Sequence, residues 1–261
     1  MPVIPPYPEG HRLLAGKSVL VTAAAGAGIG YATAKRALEE GCRGLFIADM
    51  HAERTQRAVA SLREETGCSH VFGLVADVTR EEDVQRLIAS AEAALDGVDV
   101  LINNAGLGGT CSVAAMSDAE WNRVIDVSLT GTFRMTRAML KKMQPRGRGA
   151  IVNSASVLGW RAAREQAHYA AAKAGVMALT RCSAMEAAEH GIRINAVAPS
   201  IAMHAFLQKT SSQQLLDELA AREAFGRAAE VWEVANVSIF LASDYASYLT
   251  GEVISVSSQH P

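Results

Sequence analysis

Short β-branched, apolar runs alternate along this chain with longer segments of helical periodicity, and that alternation constrains its fold more than any other feature. Ser18–Thr22 (SVLVT), Gly44–Ala48, Val71–Ala76, Val98–Ile102, Ala150–Asn153, Ile192–Val197 and Glu252–Val256 read as strands. Between them, Tyr31–Glu40, His51–Thr66, Arg80–Leu95, Asp118–Met143, His168–Glu189 and Glu230–Ala242 read as helices, with Asp118–Met143 as one long stretch. Strands joined through helices form right-handed βαβ crossovers, and these bury a parallel sheet on both faces. The expected class is therefore α/β: a single-domain, doubly wound parallel sheet of about seven strands with helices on both faces. Small and β-branched side chains with 21 glycines suit helices packed closely on such a sheet.

Two stretches stand outside the alternation. Residues 1–13 open with MPVIPPYPEG, which has four prolines and no apolar run of the signal-peptide kind, so an extended or flexible arm is expected ahead of a domain over residues 14–261. Residues 199–228 interrupt the last crossover and read as a substrate lid, with Ile201, Met203, Phe206 and Leu207 as apolar surface for core or pocket. No run approaches the ~20 apolar residues of a membrane span. With 25 basic and 27 acidic side chains there is no electrostatic footprint for nucleic acid. Cys42, Cys68, Cys111 and Cys182 lie far apart without a C-x-x-C pair, which argues against a disulfide framework or metal site and for reduced thiols in the cytoplasm.

The turn after the first strand carries Gly26, Gly28 and Gly30 into a helix, where backbone N–H groups can meet a pyrophosphate; a plain tight turn is the alternative. Asp49 ends the second strand 19 residues after Gly30. It is placed either to accept the hydroxyls of an adenosine ribose or to cap the next helix. In the first case a 2′-phosphate would meet like charge, at on the order of 4 kcal/mol per unit pair at ~4 Å and effective dielectric 20. NAD is then expected over NADP, with NADP as the alternative.

Tyr169 and Lys173 are spaced i, i+4 on a helical pattern and share a face. Ser156 lies 13 residues upstream of Tyr169, just past a strand, over the C-terminal sheet edge where open α/β sheets bind ligands. A phenol of ordinary pKa ~10 needs roughly 4 kcal/mol to titrate near neutrality, and one ammonium ~4 Å away supplies about that much. A surface pair is the alternative for Tyr169 and Lys173 alone. His168, adjacent to Tyr169 on another face, is expected to be structural.

The pieces VTAAAGAGIG, DV at Asp77–Val78, NNAG at Asn103–Gly106, Ser156, YAAAK at Tyr169–Lys173 and INAVAP at Ile194–Pro199 occur in the order and spacing of one known family. From about Leu14 to Val256 the chain resembles a short-chain dehydrogenase/reductase, and similar sequences include 3-oxoacyl-thioester reductases and steroid-ring-catabolic members. The resemblance implies a Rossmann fold and reversible hydride transfer between a nicotinamide cofactor and a secondary alcohol or ketone. It implies Tyr169 as proton donor or acceptor, Lys173 as its partner, Ser156 as substrate anchor and Ser128 at the relay position. It further implies cofactor contacts from Ala24, Gly26, Gly28, Ile29, Gly30, Asp49, Asp77, Val78, Asn103 or Asn104, Ala105, Gly106, Tyr169, Lys173, Pro199 and Ile201. A homo-oligomer, tetramer or dimer, is common in the family. The chain departs from the family pattern at Ala23, where glycine is common, at Ser128 for the usual Asn, at Ser200 for Gly, at His204 for Thr, and in its ending SVSSQHP.

The substrate expected is a bulky hydrophobic ketone or alcohol, with a CoA thioester as a candidate because Arg161 and Arg164 stand beside the site in sequence; pairing of these arginines with Glu165 or with a partner subunit is the alternative. A nicotinamide-binding sensor or scaffold of the same fold is the alternative function.

Overall fold

The structure is a computed structural model that describes residues 4–204, 207–208 and 212–258. Seven parallel strands form one sheet in the order β3-β2-β1-β4-β5-β6-β9. They are β1 (Ser18–Thr22), β2 (Gly44–Asp49), β3 (Val71–Val75), β4 (Val100–Asn103), β5 (Gly149–Ser154), β6 (Ile192–Pro199) and β9 (Val253–Val256). The central strands β1 and β4 are buried along their whole length, as expected of a sheet covered on both faces. The order reverses direction between β1 and β4, and the crevice above that switch point opens at the strands' C-terminal ends.

Helices α1 (Ile29–Glu39), α2 (Ala52–Thr66) and α8 (Val231–Ala242) pack on one face, over a core that includes Val19, Val21, Ile47, Leu62 and Ile239. Helices α3 (Glu81–Leu95) and α5 (Gly131–Met143) cover the other face over Leu20, Leu87, Leu101, Met139 and Ile194, and α6 (Ala167–Ala188) runs beside α5.

The single stretch expected over Asp118–Met143 is instead α4 (Asp118–Ile125), a π-helical turn over Asp126–Thr130, and α5. Ser117 starts α4 with a reciprocal capping box to Glu120. The π turn bulges the helix at Ser128 and Gly131, and a Cβ at Gly131 would come within 2.7 Å of Val78 Cγ2. The insertion after β6 is tied at its base by β7 (Ala202–Met203) pairing with β8 (Ala229–Glu230), and it carries α7 (Gln213–Ala221). Ile201 is buried and Met203 and Leu207 are half-buried, whereas Phe206 lies outside the described residues. The described opening residues, 4–12, lie outside helix and strand and run along α1.

Candidate active site

The turn between β1 and α1 forms an open cradle. A Cβ at Gly26 or Gly28 would meet nothing within 4 Å. One at Gly30 would run into the Ala23 carbonyl and the Asn104 amide, so the turn needs glycine there to approach the end of β4. Ala23 itself is held at φ 52°, the left-handed region that suits the glycine usual at this position. Gly28 caps α1 without a side-chain bond, so the first-turn N–H groups beginning at Ile29 have no partner within the helix. Ala24 donates to the Ala48 carbonyl at 3.2 Å.

Asp49 closes the rim of this cradle. Its carboxylate accepts the Ala25 N–H at 3.3 Å and the His51 N–H at 3.2 Å, and the Arg54 guanidinium stands 3.9 Å away. Burial pushes its pKa up, against the opposing pull of the Ala25 N–H and Arg54. Helix α2 is capped at His51 without a side-chain bond, so Asp49 ties the glycine turn to β2 and is not the helix cap. Open space, a free helix start and an acid at the end of β2 together fit a dinucleotide.

Farther along the sheet edge, Asp77 accepts the Thr79 N–H and hydroxyl at 2.9 and 2.8 Å, and Val78 is buried. The two asparagines of NNAG face different ways. Asn103 points into the interior, where its amide donates to Asn153 at 2.9 Å and to Thr136 at 3.1 Å. It therefore does not line the cofactor cleft. Asn104 faces the glycine turn and donates to the Thr22 and Ala23 carbonyls at 3.2 and 3.1 Å. The Thr22 hydroxyl takes the N–H groups of Asn104 and Ala105 at 3.0 and 3.1 Å. Thr22 is a positioning residue that the motif reading passed over; a polar residue ending a fully buried strand is the signal for it.

Ser156, Tyr169 and Lys173 come together above β5. Ser156 caps the short turn after β5, is buried, and lies with its hydroxyl 3.5 Å from the Pro199 carbonyl. Tyr169 and Lys173 share a face of α6, and the Lys173 ammonium lies 5.5 Å from the Tyr169 ring centroid. Burial raises the Tyr169 pKa, and a hydrogen bond with Ser156 opposes the rise. Burial lowers Lys173 to about 8. In the protein without cofactor, burial opposes the pull that the ammonium exerts on the phenol. Lys173 is itself desolvated and directs its charge at the Ser154 carbonyl, 2.6 Å away.

Ser128 projects from the π turn toward this cluster. Its hydroxyl donates to the Leu107 carbonyl at 3.0 Å and accepts the Leu107 N–H at 2.9 Å, so its only proton is used on the backbone of Leu107. His168 is buried with its Nδ1 unpartnered among the described residues. Trp160 and Arg164 are exposed and Arg161 is half-buried in the loop before α6. Pro199 and Ile201, both buried, lead from β6 into the insertion. His204 follows them, with burial lowering its pKa. Ser257 and Ser258, in place of the usual family ending, bond to the buried Glu223 carboxylate, Ser258 through its N–H at 3.0 Å and its hydroxyl at 2.9 Å.

Comparison with known proteins finds relatives along nearly the whole chain. A family described as enoyl-(acyl carrier protein) reductase matches residues 23–258. A reductase from Mycobacterium tuberculosis is 62% identical over 99% of this chain and 98% of its own length; its name specifies a hydroxy-methyl-oxo-hexahydroindene-carboxyl-CoA substrate. A 3-oxoacyl-(acyl-carrier-protein) reductase from Chlamydia trachomatis is 34% identical over 94% of this chain and 97% of its own length. The crystal structure of a short chain dehydrogenase from Mycobacterium smegmatis superposes with a TM-score of 0.88 at 52% identity, covering 98% of both chains. Levodione reductase gives a TM-score of 0.89 at 33% identity, over 94% of this chain and 97% of that one. The family uses nicotinamide cofactors and acts on alcohol and ketone groups. By sequence, fold and the order of its motifs, this chain belongs to the short-chain dehydrogenase/reductase family of oxidoreductases.

Proposed function

We propose that the chain interconverts a secondary alcohol and a ketone on a fused-ring CoA thioester, with NAD(H) preferred. The convergence of Ser156, Tyr169 and Lys173 above the switch-point crevice carries the chemistry. The 62% identity to the hexahydroindene-carboxyl-CoA reductase supports the substrate class.

In this reading Ser156 donates to the substrate oxygen and holds it against Tyr169. The Tyr169 hydroxyl passes its proton to that oxygen as a ketone is reduced, and takes it back as an alcohol is oxidised. Lys173 lowers the cost of the phenolate by its charge. Ala24, Gly26, Gly28, Ile29 and Gly30 would hold the cofactor pyrophosphate, Asp49 the adenosine ribose, Asp77 and Val78 the adenine. Asn104, Ala105, Gly106, Pro199 and Ile201 would line the remainder. The nicotinamide supplies or accepts the hydride when bound. Ser128 serves by fixing the Leu107 peptide. Arg161 and Arg164, in the loop before α6, would meet an anionic CoA handle.

Exposed Phe240, Tyr245 and Tyr248, together with the edge strand β9, support a homo-oligomer, dimer or tetramer. Four free cysteines suit a cytoplasmic setting. Among the described residues no helix is long and apolar enough to cross a membrane.

The test compares turnover of a hydroxy-oxo-hexahydroindene-carboxyl-CoA with that of its free acid, in wild type and Tyr169→Phe. The reading expects turnover of the thioester, much slower turnover of the acid, and loss of about a thousandfold or more in the variant with NADH binding retained. NADH binding without turnover of any alcohol or ketone would favour the sensor instead.

A further inference from the structure

A glycine-rich segment runs against the first turns of α6, over Lys173, Tyr169 and His168. A Cβ at Gly106 would stand 3.2 Å from Lys173 Nζ, one at Gly108 would stand 3.6 Å from Tyr169 Cδ2, and one at Gly109 would stand 2.9 Å from His168 Nε2. Gly106 and Gly108 are exposed, so this backbone lies at the surface over Lys173 and Tyr169 and is not core. The segment is also pinned at both ends. Ser128 bonds both the N–H and the carbonyl of Leu107, and the Cys111 N–H donates to the Glu165 carbonyl at 2.9 Å. Glu165 sits in the left-handed region, at φ 61°, in the loop leading to α6.

Because the backbone is fixed, its missing side chains amount to fixed room. At Gly109 that room is closed by His168, whose imidazole a methyl group would have to displace. At Gly108 the nearest atom is at ordinary contact distance, so a methyl group fits the fold and projects beside the Tyr169 ring. We propose that Gly108 is a specificity-determining residue: its bare backbone admits a ring fused next to the reacting carbon, and a side chain there would exclude it. The inference rests on proton transfer at Tyr169 and requires nothing of the CoA moiety.

The experiment measures kcat/KM for trans-decalone and for a linear methyl ketone of equal carbon number, using wild type, Gly108→Ala and Gly108→Val. The expected result is a wild-type preference for decalone. Gly108→Val should lose about tenfold or more on decalone, chiefly through KM, and stay within about threefold on the linear ketone, with Gly108→Ala between. Gly108→Ala carries the comparison if the valine variant does not fold. Equal losses on both probes would overturn the proposal, because the segment would then act only by holding Tyr169. Unchanged values on both, or a wild type slower on decalone than on the linear ketone, would overturn it too. Neither probe carries a thioester, so this result is independent of whether the enzyme discriminates a CoA ester from its acid.

Discussion

Lys173 donates its ammonium to the Ser154 carbonyl at 2.6 Å and so holds its charge behind Tyr169, at the end of β5. Burial lowers Lys173 to about 8 and raises Tyr169, so in ketone reduction Lys173 is the first of the two to lose its proton as pH rises. The expected profile of kcat/KM for reduction therefore falls as pH passes through about 8. Lys173→Arg, which stays charged across this range, should lose that limb even where its overall rate is low. Stability moves in the opposite sense. The folded pKa lies below the ordinary 10.5, so between about 8 and 10.5 the unfolded chain binds the extra proton and stability rises with pH. Urea midpoints across that window should climb in wild type relative to Lys173→Met.

Asp49 gives the second prediction. Its carboxylate stands at the rim of the glycine turn, where a 2′-phosphate would add like charge. Replacing it with serine removes that repulsion and keeps a hydroxyl for the Ala25 N–H. The ratio of kcat/KM for NADPH to that for NADH should rise by at least about tenfold in Asp49→Ser. An unchanged ratio would show that cofactor choice lies elsewhere, with Arg54 as the neighbouring charge to examine.

What the sequence made legible is the placement that follows from local spacing. Tyr169 and Lys173 share a face because a helix turns every 3.6 residues, and Gly26, Gly28 and Gly30 fall between a buried strand and a helix. Harder features depend on parity or on insertion. Asn103 and Asn104 are adjacent, and only the register of β4 beside β5, with Asn103 opposite Asn153, decides which one turns inward. The π turn over Asp126–Thr130 leaves no compositional mark, since one extra residue in a helix barely disturbs its apolar pattern. The pKa values of Tyr169 and Lys173 depend on how deeply they sit, which spacing does not encode. The prolines of the opening segment indicated an arm, but nothing in the sequence marks Arg36 and Glu40 of α1 as its anchors.

Ser128 carries a third prediction. Removing its hydroxyl leaves the Leu107 N–H and carbonyl without their side-chain partner beside Lys173. Ser128→Ala should lower stability by about 1–3 kcal/mol and reduce kcat more than it changes cofactor affinity, because the Gly106–Leu107 backbone would drift against Lys173. Denaturant unfolding and NADH titration separate the two effects. Wild-type kcat with reduced stability would confine Ser128 to holding the fold.

Arg36 and Glu40 form a buried ion pair at 2.5 Å, and each also holds the arm. The Arg36 guanidinium donates to the Pro8 and Glu9 carbonyls at 2.6 and 3.0 Å, and a Glu40 oxygen accepts the His11 and Leu13 N–H groups at 2.8 and 2.9 Å. Tyr7 adds an edge contact to Trp232 of α8, ring centroids 5.3 Å apart, so the arm bridges two helices. Burial alone would raise the Glu40 pKa, but the Leu13 and His11 N–H groups and Arg36 outweigh it and hold the group below its usual value. That stabilisation is present above the unfolded carboxyl's pKa and is lost as pH falls through the lowered folded one. Arg36→Met strands the Glu40 charge and should cost about 3–5 kcal/mol at neutral pH. Without Arg36 the Glu40 pKa rises relative to that in the wild type, so the deficit should shrink on acidification as the carboxyl takes up a proton. The double variant Arg36→Met with Glu40→Gln should recover part of the loss at neutral pH, and urea unfolding as a double-mutant cycle reads the coupling. A deficit in Arg36→Met that does not change with pH would mean that Glu40 stays solvated and that Arg36 works through its bonds to the arm alone.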